Sequence, residues 1–184
     1  DEFVAGLRAY FAAHAYGNTE LSDLFAVLEE ASGRDLATWE QEWLLTAGVN
    51  TLRPQVGVDD DDLITELALL QEAADEHPTL RSHRIGVGLY DLDEDGRLTR
   101  RHRVELDVTG ERTEVSELVG QRAPDLLLIN DDDLTFAKLR FDERSLATLV
   151  DNGVASLTEP LPRALAWTTV TDMLRDAELP ARDY

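Results

Sequence analysis

Cysteine is absent from the 184-residue chain, and lysine and methionine each occur once, lysine at Lys138. Without cysteine there is no disulfide framework and no thiolate zinc site. Cations are scarce. The 17 Lys and Arg face 38 Asp and Glu, for a net charge of −21. No basic stripe is available to displace counterions, which excludes nucleic acid as a partner. The same sign opposes anionic membranes. The carboxylate surplus reads as a solvated surface. No apolar run approaches the roughly 18 residues that span a bilayer. The N-terminus, DEFVAGLRAY, lacks a basic region followed by an apolar stretch. No signal peptide is expected, and the expected location is cytoplasmic. The chain opens directly in helical pattern without Met, as a domain cut from a longer polypeptide would.

What is present divides into three zones, and the expected class is α+β: a central antiparallel β-sandwich flanked by helices at both chain ends. Residues 1–48 read as helices. Phe3, Leu7, Tyr10 and Phe11 follow helical spacing. Thr19 is placed to cap a second helix with Leu21, Leu24, Phe25 and Leu28 on its apolar face, stopped by Ser32-Gly33. A third helix carries Leu36, Trp39 and Trp43. Residues 49–141 read as short strands. LITELALLQEA fits helix or buried strand by pattern, and its neighbours favour strand. RIGVGLYDL and LTRRHRVELDV alternate across a DEDG turn. DLLLIN is a continuous apolar run, the pattern of a strand buried on both faces. FAKLRF is a further alternating piece. Residues 142–184 turn helical again. Asp142 caps one helix and Asn152-Gly153 closes it. Pro160 or Pro162 opens the last helix, and Pro180 ends it. Leu146, Leu149, Trp167, Val170 and Met173 call for a partner surface, which a further domain would supply.

A search for chemistry finds no complete site: no catalytic, cofactor-binding or metal-binding residue is expected. DLDEDG, Asp91 to Gly96, matches the first half of an EF-hand loop. Its twelfth position is His102 where a bidentate Glu is needed, and its flanks are strand-like, so an acidic hairpin tip is the better reading. The acidic runs Asp59 to Asp62 and Asp131 to Asp133 are read as solvated loop tips. His14, His77, His83 and His102 form no HExxH, the spacing that sets two ring nitrogens on one helix face for zinc. No G-x-S-x-G elbow occurs. Gly86 and Gly88 open no phosphate loop, and in a strand they signal close packing or a bulge. Trp39 and Trp43 read as a core anchor against the sandwich before a ligand platform.

Three stretches together resemble the bacterial aminopeptidase N family of zinc metallopeptidases. The first runs from GLRAYFAAHAYGNTE to TAGVNTL. Its specific part is Tyr16-Gly17-Asn18, Ser32-Gly33-Arg34-Asp35-Leu36, Trp39, Trp43 and Thr46-Ala47-Gly48. It is similar to the helices closing that family's catalytic domain. HPTLRSHRIGVGLYDL resembles a strand pair of its β-sandwich domain, and RALAWTTVTDMLRDAELPARDY the opening of its helical C-terminal domain. The resemblance implies three pieces: 1–48 ending the catalytic domain, 49–141 the sandwich, and 142–184 beginning the C-terminal domain. It implies a parent that removes N-terminal residues from peptides. There, HExxH and a downstream Glu hold one zinc ion, a GxMEN-type loop holds the substrate amine, and a tyrosine stabilises the oxyanion. None of these motifs occurs in this sequence, so no such role is carried onto any residue. The expectation is a non-catalytic spacer without a cofactor of its own, whose partners are the parent's catalytic and C-terminal domains. Uncovered helix faces predict self-association. The alternatives are a stand-alone sandwich binding protein or carbohydrate, a calcium-binding β protein, and a zinc hydrolase with an unrecognised site.

Overall fold

In the computed structural model, which describes residues 2–184, the chain divides into two compact units, 1–46 and 47–184. The first unit is a set of three helices, α1 (Glu2–Ala13), α2 (Leu21–Ser32) and α3 (Ala37–Trp43). Gly33 ends α2 in the left-handed region, φ 66°, and its N–H reaches the Glu29 carbonyl. The sequence signal for that stop holds, because glycine alone enters this region without a Cβ penalty. The start does not. Glu20, not Thr19, is the N-cap residue, and its N–H donates to Asp23 Oδ2 at 2.9 Å. The Thr19 hydroxyl is engaged with the Tyr10 hydroxyl.

This first unit has almost no interior. Among residues 2–46 only Gly6 and Phe25 are buried. The helical stripe read from Phe3 and Phe11 is turned outward, at 59% and 67% exposed. What α1 sets against α2 is Gly6, where an added Cβ would stand 2.8 Å from Leu28 Cδ2. Trp39 is 47% exposed and its ring neighbours are Phe25 and Trp43, at centroid distances of 6.0 and 6.4 Å.

The second unit contains β1 (Thr51–Val58), β2 (Ile64–Glu72), β3 (His83–Leu92), β4 (Leu98–Val108), β5 (Arg112–Glu114), β6 (Leu126–Ile129), β7 (Lys138–Leu139), α4 (Glu143–Asn152) and α5 (Pro160–Arg175). The strands form two sheets, ordered β5-β2-β1-β7 and β4-β3-β6. The ambiguous LITELALLQEA is strand β2, antiparallel to β1 from Thr51↔Glu72 to Val58↔Ile64. The fold is α+β as expected. One pairing departs from the all-antiparallel expectation: β7 lies parallel to β1 (Thr51↔Lys138, Leu52↔Leu139). A strand returning after a long excursion through both sheets is free to enter in either direction.

Two apolar clusters explain the layering. One lies between the sheets and includes Leu52, Leu67, Leu69, Ile85, Val87, Leu89, Leu127 and Ile129. The other covers the outer face of the second sheet and joins Tyr90, Leu98, Leu126, Leu128 and Phe141 to Leu149, Ala166, Val170 and Met173. Alternate residues of β6 feed the two clusters, which is why DLLLIN reads as a continuous apolar run. This corrects the partner expected for the C-terminal helices. Leu149, Val170 and Met173 are already covered by the sandwich, and Leu146 packs against the same cluster. Only Trp167, Val150 and Leu161 remain large and exposed there, at 43–45%.

Helix ends follow local chemistry. Asp142 Oδ1 accepts the Ser145 N–H at 3.0 Å and caps α4, as the sequence indicates. Gly153, φ 76°, closes it with its N–H on the Leu149 carbonyl. Pro160 occupies the first turn of α5. That helix stops at Arg175, ahead of Pro180. Ala177 takes φ 60°, and the N–H groups of Glu178 and Leu179 turn back to the Met173 carbonyl. Leu179 is thereby buried under the helix end.

Candidate functional site

The densest polar constellation lies where the loop after β6 crosses β3. Asn130, Asp132 and Asp133 all take positive φ, 56°, 75° and 53°. These Asn and Asp residues tolerate the left-handed region better than branched side chains do. The tight loop drives Asp131 inward until its carboxylate is 0% exposed. Oδ1 accepts the Tyr90 hydroxyl at 2.9 Å and Oδ2 accepts Arg100 Nη1 at 2.8 Å. The Asp131 N–H donates to the Gly86 carbonyl at 3.0 Å. Gly86 and Gly88 make the approach feasible. A Cβ at Gly88 would collide with Asp131 Oδ2, and one at Gly86 with the Asp131 carbonyl. The close packing read from these glycines therefore has a named partner.

Electrostatically this cluster is locked. Burial first, then the Asp131 charge and hydrogen bond, push the Tyr90 phenol well above its ordinary range. The hydrogen bond to Asp131 leads in raising Arg100. Tyr90 thus stays a neutral hydrogen-bond donor to Asp131. The arrangement ties the loop to the sheet.

Several other sequence candidates are engaged with protein partners. Asp59 Oδ1 accepts the N–H groups of Asp61 and Leu63 at 3.0 and 2.9 Å, making a turn. Asp62 pairs with Arg144, whose hydrogen bond leads in holding its carboxyl below the ordinary range. In the half EF-hand, Asp93 Oδ1 accepts the N–H groups of Asp95 and Arg97 at 2.9 and 2.8 Å. The Arg97 guanidinium pairs with both Asp93 and Asp95. Asp132 pairs with Arg100 and Arg103 at 3.1 and 2.9 Å.

The histidines are dispersed. His14 lies beside Tyr10, ring centroids 5.3 Å apart. His77 packs on Gly48, where any Cβ would stand 2.6 Å from its own. His83 is buried, with Nδ1 2.8 Å from the Thr135 hydroxyl and Nε2 3.3 Å from Asn50 Oδ1. His102 is half-buried on β4. Among the described residues no group of three or more His, Asp or Glu is arranged to hold a metal ion. The donor set of the described residues does not fit zinc. Among them also no helix is long and apolar enough to cross a membrane.

Sequence reasoning missed a second ionic cluster. Arg140, buried on the strand edge, donates through Nε to Glu178 Oε1 at 2.7 Å and pairs with Asp176. Lys138 Nζ reaches Asp176 at 2.8 Å, and Arg53 reaches Glu178 at 2.8 Å. Three cations from β1 and the β7 segment thus grip two carboxylates just past α5. The alternation of FAKLRF around a single lysine was the available signal.

The fold matches the crystal structure of Legionella pneumophila aminopeptidase A in complex with aspartic acid, with TM-score 0.58. The match covers 100% of this chain and 20% of that one at 18% identity, a likeness of fold. No family model matches. The sequence is 55% identical over 190 aligned residues to aminopeptidase N of Streptomyces lividans, covering 100% of this chain and 22% of the relative. It is 38% identical to aminopeptidase N of Lactococcus lactis subsp. lactis over 66 residues, 36% of this chain and 8% of the relative. An Oryza sativa subsp. japonica aminopeptidase M1-D aligns over 155 residues at 23% identity. The chain is a segment of the aminopeptidase N family, spanning about a fifth of the relative it matches over its full length. Nothing in these comparisons supports a stand-alone binding module.

Proposed function

We propose that this chain is a non-catalytic structural segment of a zinc-dependent aminopeptidase that removes N-terminal residues from peptides. In this reading residues 1–48 close the catalytic domain, 49–141 form the spacing sandwich, and 142–184 begin the C-terminal helical domain. The zinc and the reacting groups belong to the remainder of the polypeptide.

The observation that carries the reading is the contrast between the two units. Residues 47–184 bury two apolar clusters, whereas residues 2–46 bury only Gly6 and Phe25. Phe3, Phe11, Leu44, Leu45 and Trp39 stand 47–67% exposed there. Apolar surface of that kind costs about 25 cal/mol for each Å² left in water. Patches of it mark interaction surfaces. The rest of the catalytic domain is the occupant proposed for it.

Amide hydrogen exchange tests the assignment by comparing the 184-residue chain with the parent polypeptide. Protection of residues 2–46 rises at least tenfold in the parent, while β3 and β6 change little. Equal protection of the helices in both would contradict the interface role.

A further inference from the structure

Strand β4 stands at the rim of its sheet, with β3 on one side. Among the described residues its other side is bridged only at Leu98, to Leu157. From His102 to Val108 its pairing with β3 runs unbroken, because the register shift falls at Leu89/Tyr90. The direction of its backbone groups follows from one bond. The Gly86 carbonyl accepts the Asp131 N–H, on the β6 side of β3. Gly86 faces Glu105 across the ladder. That pair is therefore of the kind without mutual hydrogen bonds, and the N–H and C=O of Glu105 point away from β3. Alternation gives Arg103 and Asp107 the same outward direction. Thr109, next in the series, agrees: its N–H reaches the Thr113 hydroxyl at 3.1 Å.

An open edge is a template for another strand, and natural edges guard against this with proline, bulges or charge. The open stretch of β4 has no proline and relies on charge. The order of those charges decides which partner fits. In an antiparallel pair of two β4 strands, outward residues must face outward residues. The centres available in the middle of the stretch are Arg103, Val104 and Glu105. Centring on Arg103 opposes two arginines, and centring on Glu105 opposes two glutamates. Centring on Val104 sets Arg103 opposite Glu105 of the second copy, and symmetry repeats the pair. On the inner face it sets Val104 against Val104, and the partly buried Leu106 against His102. Opposite charges directly across two strands stabilise the pairing, and like charges oppose it. Within one chain Arg103 meets Glu105 at 3.1 Å and Asp132 at 2.9 Å, and Arg84 meets Glu105 at 2.8 Å. The Glu105 side chain nonetheless stays open to solvent, within reach of a neighbour along the edge.

We propose that β4 is a dimerisation edge for a second copy of this chain, paired antiparallel about a twofold axis at Val104. Arg103 of each copy exchanges N–H···O bonds with Glu105 of the other, and the two β4-β3-β6 sheets join into one. The contact is short, so the dimer belongs to the weak, concentration-dependent class. The proposal stands apart from the aminopeptidase reading and from the uncovered helices of the first unit, because it rests on this strand alone.

Amide hydrogen exchange of the unaltered 184-residue chain, at low micromolar and at millimolar concentration, is the first test. The Arg103 and Glu105 amides slow roughly tenfold or more at the higher concentration, while those of His102, Val104 and Leu106, bonded to β3, are protected at both. The second test uses Arg103→Glu and Glu105→Arg. Each alone opposes like charges in its own dimer and sediments as a monomer. Mixed in equal amounts, a strand with acids at both positions faces one with arginines at both, and the mixture dimerises. Equal exchange of the Arg103 and Glu105 amides at both concentrations overturns the proposal, and so does association that leaves them unprotected. Variants that keep their β3 amides protected yet associate singly as the unaltered chain does, or stay monomeric when mixed, overturn it as well.

Discussion

Replacing Asp131 with Asn tests whether the loop after β6 is held by a buried charge. The side chain stays nearly the same size, and its remaining carbonyl still accepts the Tyr90 hydroxyl, now 2.9 Å away. What changes is the atom facing Arg100. A carboxylate oxygen accepting at 2.8 Å becomes an amide donor opposed to a guanidinium donor. A hydrogen bond to a charged group contributes about 1.5–3 kcal/mol. Breaking a fully buried pair costs about 3–5 kcal/mol. Arg100 is 39% exposed on its side chain, so solvent compensates part of its loss. The expected cost is therefore about 2–3 kcal/mol. With a urea slope of about 2 kcal/mol/M, the midpoint falls by roughly 1–1.5 M. Trp167 on α5 reports this transition alone once Trp39 and Trp43 are changed to Phe, because those two lie in the first unit. A midpoint within about 0.25 M of the parent, the size of an ordinary surface change, would refute the reasoning.

Other outcomes follow from the same structure. Gly88→Ala drives a Cβ into Asp131 and Tyr90 and destabilises by about 1–3 kcal/mol in the same assay, whereas Gly96→Ala meets no neighbouring atom and acts only through its φ of 75°. Hydrogen bonds from Lys138 and then Arg140 hold Asp176 below its ordinary value of 3.8. Burial works to raise Glu178, and the hydrogen bonds from Arg53 and Arg140 outweigh it and hold this carboxyl below 4.5. Depressed carboxylates contribute stability that is complete above those values and is lost as pH falls through the folded-state values. Acid melting curves should therefore drop below about pH 4.5, and Asp176→Asn with Glu178→Gln should flatten that limb. Sedimentation of the 184-residue chain should show concentration-dependent association that Phe11→Ser with Trp39→Ser reduces, and a strict monomer in the unaltered chain would count against the uncovered helical face.

Much of the sandwich was legible because its signals are local. The DEDG turn, the alternation of β3 and β4, and the two-faced run of β6 each name their own structure. So do Gly33 and Gly153 as helix stops. What was not legible depends on partners. Periodicity finds the stripe with Phe3 and Phe11 but does not say what covers it, and within this chain Gly6 is the residue α1 buries. The same blindness sought a covering surface for Val170 and Met173 in a further domain when the sandwich's outer face supplies it. Asp131 looked like one more solvated acid in a run of three. Its burial follows from loop crossing and from glycines 43 and 45 positions earlier, a relation no short window contains. The end of α5 was misplaced at Pro180 because Ala177 in the left-handed region leaves no signature in composition.

The central claim, that the chemistry lies outside this chain, is tested most directly by measuring bound zinc and aminoacyl-anilide hydrolysis on the metal-replete 184-residue protein. The account predicts no stoichiometric zinc and no turnover above the uncatalysed rate. Stoichiometric zinc with chelator-sensitive turnover would contradict it.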